Sequence, residues 1–271
     1  MTDRRTRFDI RRQPGFGSVA WLCFVVLYLP ILIVVVYAFN AGRSVATWQG
    51  FSLRWFVSAW HNQLIVECSL RSLRIGSIAA VISTIAATMA ALATTRTRPY
   101  PGLTLKYAII NQPLMVPEIV TAVALLIVFA RVKIWTGYTG LTYLVIAHTA
   151  FCIPFAYLPI RARLENMDRV LETAAADLYA SSWRVFRYVT FPRLWPGILA
   201  GLMLAFVISL DDVVITQFVK SAGQDTLSTY MLGQLRRGVT PEVNAISTIF
   251  VLISIIVVVV FFIVNRKRSE Q

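Results

Sequence analysis

Three carboxylates stand where charge is costly. Asp211 and Asp212 are neighbours in Ile208-Ser-Leu-Asp-Asp-Val-Val, and Glu118 follows Pro113-Leu-Met-Val-Pro117. Each lies inside a run of otherwise apolar residues, at a depth where an ionised side chain costs about 3 kcal/mol or more unless it is paired or hydrated. Counted from Pro196 at about 1.5 Å per residue, Asp211 is about 22 Å along a helix, in its outer third. Two chemistries suit such acids. Arg71 and Arg74 enter from the end of a neighbouring run and could neutralise Asp211 or Asp212, with Glu67 one turn away from Arg71. Alternatively the acids line a solute path, and carboxylates in a low-dielectric cavity favour a cation.

Other chemistry is poorly served. There is no Gly-x-x-x-x-Gly-Lys-Ser/Thr phosphate loop. His61 and His148 are the only histidines, too few and too far apart for the usual zinc sites. Gly15-Phe-Gly17-Ser-Val-Ala20 fits a dinucleotide pattern on paper, but it adjoins an apolar run with no strand before it. Cys23, Cys68 and Cys152 have neither paired nor metal-ligand spacing and read as small buried hydrophobes. The expectation is a chain with no catalytic residues, no metal and no cofactor of its own.

The elements that hold these acids must be membrane helices. Of 271 residues, 57% are hydrophobic and only 14% charged, against about 45–50% and about 25% in soluble domains. About 20 apolar residues span the hydrocarbon core, and six runs qualify: 19–39, 64–94, 107–130, 141–160, 196–219 and 245–264. The first follows Arg4, Arg5, Arg7, Arg11 and Arg12, is too long for a signal peptide, and reads as an uncleaved span. The expected organisation is a basic tail 1–18, a membrane domain 19–264 with a long loop 161–195, and a tail 265–271. With the N-terminus inside, Lys and Arg (Arg98 among them) number 17 on the cytoplasmic side and 7 outside, so both termini are expected in the cytoplasm. The net charge of +13 comes from residues that bracket apolar runs, a topology signal that argues against nucleic-acid binding.

Small residues mark close helix packing: Ala79, Ser83, Ala87 and Ala91 recur every four positions, and Gly197-Ile-Leu-Ala-Gly201 repeats the device. Pro113, Pro117, Pro154 and Pro159 interrupt the third and fourth runs. Such breaks serve either plain packing or a translocation path.

In the loop, Leu171, Ala174, Ala175, Leu178, Tyr179 and Ser182 form an amphipathic helical stripe. Ser181 and Ser182 offer an N-cap for a second short helix over 183–190, which Pro192 is expected to stop. An apolar face outside the membrane needs a partner, or else it lies on lipid. Glu172-Thr-Ala-Ala-Ala-Asp-Leu178, followed by Phe191-Pro192, resembles the EAA loop of ABC-importer permeases. Ala174, Ala175, Asp177, Leu178 and Pro192 fall on that pattern, Thr173 takes the usual Glu place, and Tyr179 takes the usual Gly. A tyrosine in the left-handed conformation that a glycine allows costs about 1–2 kcal/mol, so a differently shaped corner is expected. The resemblance implies that Glu172, Ala174, Ala175, Asp177, Leu178, Tyr179 and Pro192 couple the chain to a separate ATPase.

Ser209-Leu-Asp-Asp-Val-Val, Phe218-Val219, Thr226-Leu227 and Gly238-Val-Thr-Pro-Glu-Val-Asn-Ala245, with Tyr28-Leu-Pro-Ile and Ala38-Phe39-Asn40, resemble permeases of the spermidine/putrescine type, in particular the second permease subunit. Ser221 stands at a usual Gly, and Ser228 where Leu-Pro is usual. The resemblance implies an all-α, six-span, type I importer permease of the bacterial inner membrane. It implies a second permease chain, two ATPase subunits that bind ATP and Mg, and an extracytoplasmic solute-binding protein as partners. Glu118, Asp211 and Asp212 then become candidates for a polyamine path. Opines, γ-aminobutyrate-like amines and amino-acid-like solutes are the alternative cargo, and a stand-alone carrier or channel is the rival class.

Overall fold

The computed structural model describes residues 16–43, 47–97, 101–237 and 240–269. Most of the basic tail 1–18, Arg98, Gly238, Val239 and the last two residues of the tail 265–271 lie outside them. The described residues form helices and no β-strand, apart from one isolated bridge between Asn40 and Phe51.

Two compact units are present. In the smaller, α1 (Phe16–Ala38) is apolar all round, and its side chains are almost all exposed, as on Trp21 and Leu27. Such a surface suits lipid. Cys23 lies on it, exposed rather than buried, because among the described residues no helix of this unit covers that face; Cys68 and Cys152 are buried as expected. Asn40, in the Ala38-Phe39-Asn40 stretch, organises the turn that follows. Its Nδ2 donates to the Thr47 carbonyl at 2.7 Å, and its Oδ1 accepts from the Gln49 N–H at 2.8 Å. Trp55 Nε1, in α2 (Arg54–His61), donates to the Asn40 carbonyl at 2.8 Å.

The larger unit is built on α3 (Gln63–Thr95), α6 (Thr142–Glu165) and α9 (Phe191–Asp211). Ala79, Ser83, Ala87 and Ala91 are all fully buried. A Cβ added to Gly201 would stand 2.7 Å from the Ala156 carbonyl, and one on Gly197 would stand 2.8 Å from Arg163 Cβ. Without those methyls, α9 lies directly on α6. Where lipid removes any hydrophobic drive between helices, such contact supplies the packing energy. A second cluster joins Ile75, Phe129, Leu144, Phe151, Ile215 and Val219.

Two of the expected spans are broken. The run 107–130 divides into α4 (Leu103–Met115) and α5 (Glu118–Thr136), and α5 alone is long and apolar enough to cross. The break is at Val116, extended at φ −96° and ψ 135°, because the ring of Pro117 excludes the helical conformation of the residue before it. Pro113, Pro154 and Pro159 are accommodated inside helices. The run 196–219 divides at Asp212–Val213 into α9 and the short α10 (Val214–Val219). Among the described residues five helices qualify as spans by length and hydropathy, with a shorter apolar stretch, Pro241–Ile256, in α12 (Pro241–Ser269).

Candidate functional site

Both breaks meet at one cavity of about 380 Å³, lined by Glu118, Phe151, Phe155, Ile208, Asp211, Asp212, Val213 and Val214. All three carboxylates singled out in the sequence are therefore brought together. Glu118 occupies the first turn of α5, where the positive end of the helix dipole favours an anion. Its carboxyl interacts with that of Asp212 and lies near Asp211. Phe151 and Phe155 give the cavity an aromatic wall, their ring centroids 5.4 Å apart.

The two aspartates have different surroundings. Asp212 is buried, and its oxygens are engaged. Oδ1 accepts from the Ile215 N–H at 3.2 Å, and Oδ2 accepts from the Thr216 N–H at 2.9 Å and the Thr216 hydroxyl at 2.7 Å. It thereby caps α10 and satisfies donors that the break would leave bare, a requirement in lipid. Asp211 is exposed, and among the described residues no hydrogen bond or ion pair holds its carboxylate.

Of the two alternatives, pairing with Arg71 or Arg74 is not found among the described residues. Arg71 donates to the Asp225 carbonyl at 2.7 Å. The partner of Asp212 is His148, with Nε2 3.3 Å from Oδ2 and 2.9 Å from Thr216 Oγ1, and Nδ1 2.7 Å from Ser209 Oγ. One assignment satisfies every atom. Ser209 donates to Nδ1, Nε2–H donates to Thr216 Oγ1, and the Thr216 hydroxyl donates to Asp212. Sequence reasoning missed His148 as a site residue. A fully buried histidine in a membrane helix needs two polar partners, and Ser209 and Thr216, either side of the double aspartate, were the available signal.

Ser228 in α11 (Leu227–Arg237), at a position of family departure, donates to the Leu210 carbonyl at 2.6 Å and satisfies an acceptor freed by the break. Ser221, the other departure, accepts from Lys133 Nζ at 3.0 Å.

The 161–195 loop holds two helical pieces, α7 (Val170–Asp177) and α8 (Ser182–Val185). Between them Tyr179 takes φ 59°, the sole left-handed non-glycine among the described residues. The Ala180 N–H donates to the Ala175 carbonyl at 3.1 Å, and the Tyr179 N–H donates to the Ala176 carbonyl at 2.9 Å. That is a Schellman end with tyrosine at the glycine position. The corner keeps its shape, contrary to expectation, because the two bonds outweigh the strain. Leu178 and Tyr179 project outward, 81% and 97% exposed, with Trp183 and Ala174 also exposed.

Glu172 turns the other way. It lies against Arg96, with Oε2 3.1 Å from Nε, and its Oε1 accepts from the Thr190 hydroxyl at 2.8 Å. Ser181 sits at the N-cap position in extended backbone without a side-chain capping bond. Pro192 does not stop the second helix. A π turn over Phe186–Thr190 leads directly into α9, and Pro192 sits in the first turn of α9, where a missing N–H is tolerated.

Residues 101–267 match the family described as binding-protein-dependent transport system inner membrane component. The putrescine transport system permease protein PotI of Escherichia coli K12 is 33% identical over 264 residues, covering 96% of this chain and 94% of its own. The spermidine/putrescine transport system permease protein PotC of Haemophilus influenzae is 34% identical over 265 residues, covering 98% and 100%. Among solved structures, a bacterial ABC transporter involved in the import of alginate superposes with TM-score 0.70 over 94% of this chain and 93% of that one, at 15% identity. The MetNI methionine ABC transporter gives TM-score 0.66 at 17% identity, over 78% of this chain and 97% of that one. The all-helical, multi-pass architecture is that of a type I importer permease, and the chain belongs to the binding-protein-dependent transport system inner membrane components as a permease subunit of an ABC importer.

Proposed function

We propose that this permease passes polyamines, putrescine- or spermidine-like ammonium solutes, across a bacterial inner membrane. The observation that carries the reading is the cavity at the two helix breaks, with Glu118 and Asp211 facing an aromatic wall. Clustered carboxylates repel one another, and an ammonium group between them relieves that repulsion. Phe rings attract the same cation on their faces, and apolar walls suit a methylene chain. Glu118 and Asp211 contact the solute, while Asp212 holds the break and shapes the cavity. The similarity to permeases named for putrescine and spermidine supports the same cargo.

In this reading both termini are cytoplasmic, and the 172–192 loop seats in a cleft of a separate ATPase that binds ATP and Mg. The outward face of Ala174, Leu178, Tyr179 and Trp183 supplies the docking surface, with Ala175 and Asp177 completing it. A second permease chain, two ATPase subunits and an extracytoplasmic binding protein complete the importer.

The test is uptake by the reconstituted importer in liposomes loaded with ATP. Radiolabelled putrescine should accumulate, and excess spermidine should compete while γ-aminobutyrate and an opine do not. Accumulation of a zwitterionic or anionic solute in preference to putrescine would refute the polyamine reading. Transport by this chain without any ATPase would refute the importer assembly.

A further inference from the structure

The inward side of the loop carries a contact for which docking has no use. Glu172 is mostly buried, 18% exposed, on the side of α7 away from Leu178 and Tyr179. Its two oxygens reach two different elements. Oε2 is against Arg96, which closes α3, and Oε1 accepts from Thr190, which ends the π turn at the root of α9. Arg169, just before α7, donates to the Thr95 carbonyl beside Arg96. The loop is thus tied to the ends of the two helices that, with α6, form the core.

The Arg96 contact is incomplete. Nε stands at ion-pair distance from Oε2, yet neither Nε nor Nη2 has a hydrogen-bond partner, although both atoms are shielded from solvent. A guanidinium beside a carboxylate ordinarily closes a two-bonded fork, and orphaned buried donors call for an explanation. Cavities of about 440 Å³ and about 540 Å³ flank Arg96, the first also lined by Glu172 and Thr190 and the second by Arg169. α7 therefore has room to shift against α3 by a side-chain-scale distance. Thr190 sits on a π turn, a helical register that is disposed to rearrange and that recurs at functional sites.

We propose that Arg96, Glu172 and Thr190 form the joint through which displacement of the loop reaches α3 and α9. Glu172 is a positioning residue that faces into the permease rather than a contact to the ATPase. The half-made fork with Arg96 closes fully in another stage of the transport cycle. This rests on the reading of the loop as the ATPase-docking segment.

The experiment uses the complete importer, with both permeases, the ATPase pair and the binding protein, in ATP-loaded liposomes with putrescine. Arg96→Gln and Glu172→Gln should each retain the ATPase at the wild-type ratio, lower uptake at least tenfold, and leave ATP hydrolysis independent of the loaded binding protein. The exchanged pair R96E/E172R should exceed either of its single variants in uptake by at least threefold, a rescue that a purely structural loss would not give. Thr190→Val, nearly isosteric, should lower uptake at least threefold with normal assembly. Wild-type uptake in the three neutral variants, loss of the ATPase from them, or no rescue in the exchanged pair overturns the joint. If the wild-type chain itself retains no ATPase, the docking reading falls and the joint with it. If the wild type retains the ATPase and the variants transport normally, only the joint falls.

Discussion

Replacing Asp212 with alanine removes the carboxylate that caps α10 and accepts from the Thr216 hydroxyl. A lost helix cap costs about 1 kcal/mol, and a lost hydrogen bond to a buried charged acceptor costs about 2 kcal/mol. Together they amount to about 3 kcal/mol, the lower end of what breaking a buried charged contact costs. His148 keeps Ser209 and Thr216 as partners, and it is the Thr216 hydroxyl that is left without its acceptor. For a chain of this length 1 kcal/mol corresponds to about 2–4 °C in Tm, so the change should lower Tm by roughly 6–12 °C. Asp211→Asn is the control. Its carboxylate has no hydrogen-bond partner among the described residues, so stability should move by less than about 0.5 kcal/mol. Uptake should nonetheless fall about tenfold or more, because a charge-assisted contact to an ammonium group is worth about 1.5–3 kcal/mol and each 1.4 kcal/mol is about a factor of ten. Thermal unfolding in detergent and putrescine uptake in liposomes read the two quantities on the same preparations. The division of labour between the aspartates is refuted if both variants shift Tm equally, or if Asp212→Ala stays within about 2 °C of wild type.

Tyr179→Gly should relieve left-handed strain of about 1 kcal/mol at the loop corner, visible as slower hydrogen exchange over 170–180, while removing an exposed ring from the docking face. Gly201→Ala should push α9 off the Ala156 carbonyl and destabilise the chain by about 1–3 kcal/mol, read as a lower Tm. Burial raises the Asp225 carboxyl, but the hydrogen bond and charge of Lys220 outweigh it and hold Asp225 below its ordinary value of 3.8. A depressed folded value makes the contribution complete above about pH 4 and lost as pH falls through the folded value. Hydrogen exchange over 220–229 should therefore accelerate only below about pH 4, and Asp225→Asn should abolish that acid dependence.

The membrane character, the small-residue ridges and the three acids were all legible because each departs from what chance or solubility would place there. Ala79, Ser83, Ala87 and Ala91 read as a packing ridge, and all four are buried. What misled was arithmetic on continuous helices. Taking 196–219 as unbroken hid the break at Asp212, which together with the one at Pro117 brings Glu118 and Asp211 to one place. Pro117 was visible in advance, but three other prolines looked the same and were absorbed within helices. Formal opposite charge also misdirected the partners. Arg71 and Arg74 carry the obvious opposite charge, whereas the buried contact to Asp212 is a histidine on α6, a helix not considered as its source. In the loop, Leu171, Ala174, Leu178, Tyr179 and Ser182 of the apolar stripe are exposed and Ala175 is half-buried. The direction of Glu172 depends on Arg96 and Thr190, residues distant in sequence.

The two breaks and the acids are linked physically. An interrupted helix in lipid exposes N–H donors on one side and C=O acceptors on the other, and each needs a partner because no bulk water is available. The N-terminal side of a break attracts anions, through its free donors and its dipole. Glu118 and Asp212 occupy those positions, the first in the opening turn of α5 and the second accepting from the opening N–H groups of α10. Acids needed to stabilise the breaks thus gather in the cavity that the breaks create, and a third, Asp211, adds a charge that no internal donor claims. A helix repaired by Pro117→Ala should lengthen α4 into α5 and pull Glu118 from the cavity. Its cost to putrescine uptake should then match that of Glu118→Gln, even though its own side chain touches no solute.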